Sequence, residues 1–329
     1  MTQPQSKLSQ RKFPATLDAT EWKCFKDQQP KSMFVAAIEA VDKFTRPIHT
    51  ITRAYGGLIS PGSATLFFVN ENGVAITCKH VAQFILDSDA VNNKYESFKK
   101  ERDLIPKDNK FKGKLIGLES KNGFKKDSII QIKNNFVNCF PGITHFTCHL
   151  HPTLDLAIIE FKGQNQNLYS SYATFVNDPN KVKQGKSLCR LGYPFPEFNN
   201  FQHNPLTDNI EWTTTGNQNS PRFPIDGIIT RFGGDQSQVA TIELSTPGLR
   251  GQSGGPLFDT QGLVYGMQSM THHLHLGFDV KNLEVITEGR KVAVSNYPFL
   301  HVGHCIHVDR IKEFLKEFGI KYYEEINQI

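Results

Sequence analysis

Residues 251–258 read Gly-Gln-Ser-Gly-Gly-Pro-Leu-Phe, a composition that favours a chemically active turn. The glycines around Ser253 and the proline at position 256 suit a tight turn better than the interior of a helix or strand. Such a turn directs backbone N–H groups and one hydroxyl group at the same point. Acyl transfer by a nucleophilic serine requires this combination, because the N–H groups stabilise the oxyanion that develops beside the nucleophile.

Two further segments supply the partners that a nucleophilic serine needs. His80 ends an apolar run that begins at residue 74, and Asp155 stands at the head of a β-branched segment that predicts a strand. A neutral hydroxyl group is a weak nucleophile, so a histidine must accept its proton and a carboxylate must orient that histidine. The predicted catalytic residues are therefore His80, Asp155 and Ser253.

The order of these residues along the chain is that of chymotrypsin-type proteases, whereas subtilisins and α/β-hydrolases use other orders. The chain resembles the trypsin-like serine peptidases, and within them the HtrA and bacterial trypsin-2 branch. No PDZ-like sequence follows residue 318, so the resemblance is to a catalytic domain without a PDZ domain. The segments that carry the resemblance are 62–68, 73–77, 80–81, 155–159, 191–194, 251–255, 303–306 and 309–315.

The resemblance implies an all-β fold of two six-stranded antiparallel β-barrels, with an N-terminal and a C-terminal helix. It implies that Ser253 is the nucleophile, that His80 is the general base and then acid, and that Asp155 orients His80. The backbone N–H groups of Gly251 and Ser253 are expected to form the oxyanion hole. Cofactors are not expected in such an enzyme.

The residue before the serine departs from the digestive members of this family. They carry an aspartate there, which captures the new N-terminus after zymogen cleavage, whereas this chain has Gln252. An amide cannot form that ion pair, so activation by cleavage is not expected. The oxyanion loop is either preformed or ordered by a partner.

The resemblance also suggests residues that contact the substrate. Pro247 stands where trypsin has its pocket acid, and Thr271 stands where wide-pocket enzymes have glycine. The strand 269–271 is expected to pair with the substrate backbone. We therefore predict a small or medium apolar residue before the scissile bond, not lysine or arginine. The candidate substrate-binding residues are Pro247, Arg250, Gln252, Ser269, Met270 and Thr271.

Two other functions remain open from the sequence. Residues 251–255 also match the G-x-S-x-G elbow of esterases, which requires a helix directly after the serine. The proline at 256 and the apolar run 263–267 predict a hairpin there instead. A peptidase fold that binds partners without cleaving them is the second alternative, and an intact triad argues against it.

The domain boundaries follow from composition and apolar runs. A helix is expected from about residue 32 to 44, with Ser32 as its N-cap, and residues 1–19 are expected to be disordered. Leu115-Ile116 and Ile129-Ile130 look strand-like. The predicted organisation is an N-terminal segment at 1–47, a first barrel at 48–162 with an insertion at about 92–145, a linker at 163–181, a second barrel at 182–307, and a C-terminal helix and tail at 308–329.

Positive charge concentrates in the insertion. Residues 92–135 contain 12 Lys/Arg and 6 Asp/Glu, an excess of +6, while the whole chain carries +5. A charged segment of this kind is most often a solvated surface. It is also a candidate docking surface for an acidic regulatory protein, and it gives little support to nucleic acid as a partner.

Several histidines cluster along the chain. We expect them in surface loops or substrate-groove walls rather than at a metal, because no cysteine or carboxylate accompanies them at a recognised metal-site spacing. These histidines are His145, His149, His151, His272, His273, His275, His301, His304 and His307.

Six scattered cysteines, no C-x-x-C spacing and no visible secretory signal favour free thiols and a cytoplasmic protein. No run of 18 apolar residues is present, so no membrane helix is expected. The polypeptide substrate is expected to be one partner protein that the enzyme processes in a stress or defence pathway.

Overall fold

Two antiparallel sheets form the framework of this protein. The computed structural model describes residues 33–142, 145–163, 166–234, 238–274, 282–287, 289–294 and 300–326. The expected disorder at 1–19, Ser32 and His275 lie outside these residues. The prediction of an all-β fold with two barrels and flanking helices is confirmed.

The first sheet contains six strands in the order β4-β1-β2-β3-β6-β5 and forms a half-barrel. Its central strand β3 is buried along its whole length, because β2 and β6 flank it and both faces are covered. The strands are β1 (Thr45–Ala54), β2 (Ile59–Phe68), β3 (Val74–Thr77), β4 (Ile129–Phe136), β5 (His145–Leu150) and β6 (Ala157–Lys162).

The second sheet closes into a barrel. Its strands follow the order β13-β8-β11-β12-β17-β14, and β14 pairs back onto β13. Two short strands, β7 and β18, extend it beyond β14. The strands are β7 (Thr174–Phe175), β8 (Ser187–Gly192), β11 (Phe223–Gly234), β12 (Val239–Leu244), β13 (Pro256–Phe258), β14 (Val264–Leu274), β17 (Leu300–His307) and β18 (Tyr323–Glu324).

Two hairpins stand outside both barrels: β9 (Phe201–Asn204) with β10 (Asn209–Trp212), and β15 (Leu283–Thr287) with β16 (Arg290–Val294). The β9–β10 hairpin follows β8 but packs on the first barrel, where Ile210 meets the buried Ile51 of β1. The hairpin therefore joins the two halves of the molecule.

The helices are α1 (Val35–Asp42), α2 (Lys79–Asp103), α3 (Phe111–Asn122) and α4 (Val308–Glu317), with a 3-10 turn at Pro179–Lys181. Helix α1 places Phe34, the residue before it, edge-on against Phe258 of the second barrel at 6.3 Å between ring centroids. Helix α4 agrees with the predicted C-terminal helix. None of the helices in the described part of the chain is long and apolar enough to cross a membrane.

The predicted insertion differs from its expected form. Helix α2 begins directly after β3 and runs through residue 103, and the segment that looked strand-like at 115–116 lies in helix α3. Leu115 and Leu118 stand three residues apart, the spacing of one helix face, and pack beside the cluster of Tyr95 and Phe98. Gly123 ends the helix in the left-handed conformation with φ of 68°. Ile129-Ile130 lies in β4, as expected.

An ionic cluster fixes helix α2 to the β9–β10 hairpin. Asp208 accepts hydrogen bonds from Tyr95 at 2.8 Å and Arg102 at 3.0 Å, and pairs with Arg53 of β1 at 2.7 Å. Burial opposes ionisation of Asp208, but these three donors outweigh it and lower the pKa of its carboxyl group. The buried Lys99 donates to the carbonyl of Thr207 at 3.1 Å. Some positively charged side chains of the insertion therefore face inward and hold the insertion against the β9–β10 hairpin.

Candidate active site

Strand register brings the predicted base and its carboxylate together. Thr77, the last residue of β3, pairs with Ala157, the first residue of β6. In an antiparallel pair, the residues after one strand lie beside the residues before the other. His80 follows β3 as the second residue of helix α2, and Asp155 precedes β6, so the two side chains meet at one end of the half-barrel.

The imidazole of His80 is held by Asp155 at both carboxylate oxygens. Its Nδ1 lies 3.0 Å from Oδ1 and 2.9 Å from Oδ2, and the backbone N–H of His80 donates to Oδ1 at 3.0 Å. The hydroxyl of Ser269 donates to Oδ2 at 2.6 Å. Nδ1 is therefore fixed as the donor, which leaves Nε2 as the proton acceptor.

Asp155 is the ionised partner in this arrangement. Burial of its carboxyl group raises the pKa, but the hydrogen bonds from His80 and Ser269 outweigh that effect and hold the pKa well below its usual range. The Asp155 side chain is 17% exposed and that of His80 is 56% exposed. The carboxylate is shielded while the imidazole can reach a substrate.

The turn that carries Ser253 is anchored to the first sheet as well as to its own barrel. The carbonyl of Ser253 accepts from the N–H of Thr65 in β2 at 2.9 Å, and the hydroxyl of Thr65 donates to the carbonyl of Gly251 at 2.7 Å. The N–H of Gly254 donates to the carbonyl of Gln268 at 2.9 Å. These bonds place the serine at the junction of the two sheets.

Ser253 and His80 line the same two cavities, so the structure brings together all three predicted catalytic residues. The hydroxyl of Ser253 donates to the carbonyl of Ser269 at 3.2 Å in this conformation. Ser269 thus contacts both Asp155 and Ser253.

The predicted oxyanion donors have a backbone geometry that suits the role. Gly251 has φ of 94°, in the left-handed region that favours glycine. A Cβ at this position would lie 2.5 Å from the carbonyl oxygen of Tyr193. Among the residues that the structure describes, the N–H groups of Gly251 and Ser253 have no hydrogen-bond partner. They remain open to a developing oxyanion.

Gln252, predicted as a substrate-binding residue, lines neither cavity, so the structure does not bring its side chain together with the other candidates. Its side chain is fully buried and accepts from the N–H of Leu249 at 3.0 Å while donating to the carbonyl of Phe223 at 2.9 Å. Both bonds are partly buried. The amide anchors the loop 249–253 from within.

Two cavities flank Ser253. The first, about 370 Å³, lies between β2 and helix α2, and its apolar wall includes Val81, Phe84 and Ile85. The second, about 440 Å³, lies against β14 and the segment 247–250. The other candidate substrate-binding residues line this second cavity: Pro247, Arg250, Ser269, Met270 and Thr271.

The walls of the second cavity are tied together by Thr271, whose hydroxyl donates to the carbonyl of Gly248 at 2.8 Å. That Thr271 narrows the pocket remains a prediction. Gln268, which had no sequence signal for this place, also lines the cavity. His273 and His301, expected in surface loops or substrate-groove walls, line it as well.

One group of metal-ligand types occurs at this site within the described ranges. Atoms of Cys78, His80 and Asp155 lie within 4.8 Å of one another. Burial raises the pKa of the Cys78 thiol, and its sulfur lies 3.3 Å from the carbonyl of Gln268. A metal needs a thiolate, and these surroundings favour the thiol. The donor set therefore suits a hydrogen-bonded pair better than a cation.

Most other clustered histidines have structural partners. His149 lies 2.5 Å from Glu160, and His151 accepts from the N–H of Leu154 at 3.0 Å. His307 accepts from the N–H of Asp309 at 3.2 Å and so caps helix α4. No local pattern predicts this cap, since histidine is not a common N-cap residue.

The chain continues from Ser253 into strand β13 and the hairpin with β14 rather than into a helix. The esterase elbow requires a helix directly after the serine, so this turn does not have the geometry of that elbow. The first of the two antiparallel barrels supplies a histidine and a carboxylate, and the second supplies the serine turn. This arrangement defines the class of two-barrel serine endopeptidases.

The chain belongs to the trypsin-like peptidase family, because the family profile described as trypsin-like peptidase domain matches residues 63–267. The family expected from the sequence is thereby confirmed, and with it the assignment as a serine endopeptidase.

The solved structures that resemble this one include the HtrA-type protease AlgW with a tripeptide, at 12% identity and a TM-score of 0.43; the match covers 86% of this chain and 62% of that one. The Rv3671c protease from M. tuberculosis in its active form also matches at 12% identity and a TM-score of 0.43, over 97% of this chain and 96% of that one. No curated protein sequence matches significantly.

Proposed function

We propose that this endopeptidase cleaves polypeptides with Ser253 as nucleophile, His80 as general base and then acid, and Asp155 as the group that orients His80. The observation that carries the proposal is the set of hydrogen bonds on Asp155. It accepts from the His80 imidazole and backbone and from Ser269, a residue of the opposite barrel that also contacts Ser253.

The reaction begins when the Ser253 hydroxyl turns from the Ser269 carbonyl toward Nε2 of His80. The oxygen attacks the scissile carbonyl carbon, its proton passes to Nε2, and the N–H groups of Gly251 and Ser253 bind the oxyanion. Asp155 stabilises the imidazolium through Nδ1. His80 then gives its proton to the leaving amine, and a water molecule, deprotonated by His80, releases the acyl group from Ser253.

The loop that supplies the oxyanion donors needs no proteolytic activation in this proposal. In zymogens of this family, a new N-terminus orders the loop through an ion pair. Here the buried amide of Gln252 holds Leu249 and Phe223 with two hydrogen bonds, which support the same loop without a free N-terminus. Of the two possibilities left open by the sequence, these contacts favour a preformed loop.

We further propose that the enzyme works in the cytoplasm on a specific partner protein, with stress or defence as the expected setting. Five cysteines in the described residues are unpaired, and four of them are buried, which suits a reducing compartment. The exposed lysines of helix α3 and its flanks, such as Lys112 and Lys125, form a basic surface for an acidic regulatory partner.

The test is cleavage-site mapping on a complete cell lysate, with new N-termini identified by mass spectrometry. Wild-type enzyme is compared with Ser253→Ala. The proposal expects few cleaved proteins and loss of every new terminus in the variant. Cleavage that persists in Ser253→Ala, or hydrolysis of simple esters without any peptide cleavage, would contradict it.

A further inference from the structure

A fully buried arginine lies behind the second cavity. Arg190 of β8 is 0% exposed, and its Nη1 donates to Oε1 of Gln268 at 2.8 Å while its Nη2 donates to the hydroxyl of Thr246 at 2.6 Å. Its Nε has no hydrogen-bond partner. The guanidinium fills the space above Gly303, where a Cβ would lie 2.1 Å from Nη1.

The charge on Arg190 is not neutralised by contact. The two hydrogen-bond acceptors of its guanidinium, an amide oxygen and a hydroxyl group, are both neutral. Arginine keeps its proton in proteins, and a buried charge with only neutral partners is costly. Asp226, which is exposed on β11, attracts it from a longer distance. A buried cation of this kind favours an anion nearby, and Gln268 is the residue that links it to the cavity wall.

A pair of histidines forms another part of the same cavity. His273 of β14 and His301 of β17 are cross-strand partners, and their Nδ1 atoms lie 2.6 Å apart. One Nδ1 must carry a hydrogen and the other must accept it, so the Nε2 atoms remain to interact with a ligand. Arg250 also lines the cavity. None of the described lining residues is acidic.

The carboxylates nearest to this region have other partners. Glu243 of β12 pairs with Arg231 and with His272, whose Nδ1 lies 3.1 Å away. Asp155 is engaged by His80 and Ser269. Arg250 and the Nε2 atoms of the histidine pair are therefore left for a substrate.

From this arrangement we propose that the second cavity is the primary specificity site and selects aspartate or glutamate immediately before the scissile bond. The proposal rests on the proposed function, because it needs Ser253 as the nucleophile. A carboxylate gains from Arg250, the histidine pair and the field of Arg190, while a lysine or arginine is repelled. An apolar side chain gains none of these interactions, so the specificity differs from the apolar preference predicted from the sequence.

The experiment measures kcat/KM for one peptide sequence in which only the residue before the scissile bond varies: Glu, Gln, Asp, Asn, Leu or Lys. Glu and Gln have nearly the same shape, so their ratio isolates the charge. We expect each acid to exceed its amide by at least about tenfold, which corresponds to about 1.4 kcal/mol. Ser253→Ala is measured in parallel.

The outcomes separate the two proposals. Ser253-dependent cleavage that favours the amides, leucine or lysine overturns the acidic specificity and leaves the endopeptidase mechanism standing. Absence of Ser253-dependent cleavage for every peptide overturns both. Ser253-dependent cleavage with the acids preferred supports both.

Variants of the histidine pair and of Arg190 test whether these side chains cause the acidic specificity. The double variant His273→Asn, His301→Asn is expected to reduce the Glu-to-Gln ratio at least threefold, whereas His145→Asn on β5 is expected to leave the ratio unchanged. Arg190→Met removes the buried charge at similar volume, and Arg190→Lys retains it and should restore part of the ratio. An unchanged ratio in the folded histidine double variant overturns the proposal, even where Arg190→Met does not fold.

Discussion

Replacing Gly251 by alanine tests the oxyanion geometry at a single atom. The new Cβ would lie 2.5 Å from the Tyr193 carbonyl oxygen, 2.7 Å from Cα of Pro194 and 2.7 Å from the Ser63 hydroxyl, whereas ordinary contact begins at 3.4 Å. Two of these neighbours are backbone atoms, so the turn itself must move by about 1 Å. A displacement of that size at a reacting centre costs about 100-fold in rate, and loss of one oxyanion donor costs about 2.7–4 kcal/mol.

The expected result is a fall of about 10² to 10³ in kcat/KM for a peptide that the wild-type enzyme cleaves. Because the lost interaction forms only in the transition state, kcat should fall and KM should stay nearly constant. Gly262→Ala is the matched control. Gly262 also has a positive φ, 81°, but a Cβ there meets no atom closer than 3.7 Å. Both variants carry a backbone strain of about 1–2 kcal/mol.

Activity of Gly262→Ala should remain within about twofold of wild type, since its conformational strain lies away from the serine turn. Thermal unfolding of both variants confirms that the compared proteins are folded. A folded Gly251→Ala enzyme with at least one-third of the wild-type kcat/KM would refute the assignment of this N–H group to the oxyanion hole.

Three further changes test other parts of the account. Ser269→Ala removes the 2.6 Å bond to Asp155 and should lower kcat/KM about tenfold, with a loss of about 1 kcal/mol in the free energy of unfolding; unchanged kinetics would contradict this role. Burial lowers the pKa of His49 to about 4, below the unfolded value of 6.5, so stability is full above pH 6.5 and falls as the pH drops toward 4. The free energy of unfolding, measured with urea, should fall by roughly 3 kcal/mol over this pH range. The variant His49→Gln should not show this fall. An equally steep fall in the variant would rule out this histidine as the cause. Asp208→Asn should lower the free energy of unfolding by about 2 kcal/mol with kcat/KM unaffected, and a change below about 0.5 kcal/mol would show that the cluster is not stabilising.

The residues that could be predicted from the sequence are those set by local chemistry. The glycines around Ser253 indicated a turn, and the residue types of His80 and Asp155 gave a role to each. The apolar runs indicated strands, and the hydrophobic spacing near residue 311 indicated helix α4. Strand register accounts for the meeting of His80 and Asp155, but the sequence does not predict that register, and their partnership was expected only from residue type and the family resemblance.

Other features depend on contacts between distant segments and had no local signal. Ser269 was assigned to substrate binding because of its strand, and its hydrogen bond to Asp155 is visible only once the two barrels meet. Gln252 looked like a lining residue because it adjoins the serine, yet the turn directs its side chain inward. Leu115-Ile116 looked strand-like because two apolar residues cannot distinguish a strand from a helix.

The surroundings of the positive charges in the insertion also depend on contacts between distant segments. A composition rich in lysine predicts a solvated surface, and Lys99 shows that one member of such a segment can be buried when the β9–β10 hairpin offers a carbonyl acceptor. The pairing of that hairpin with the first barrel joins residues about 110 positions apart in the chain. A local sequence pattern cannot predict a contact between residues so far apart in the chain.

The most direct test of the central claim is labelling with a fluorophosphonate, followed by mass spectrometry of the modified peptide. The account predicts one adduct, on Ser253, formed rapidly by the wild-type protein and at least about 100-fold more slowly by a folded His80→Ala variant. An adduct on another residue, or an unchanged rate in His80→Ala, would contradict the claim that these two side chains work together.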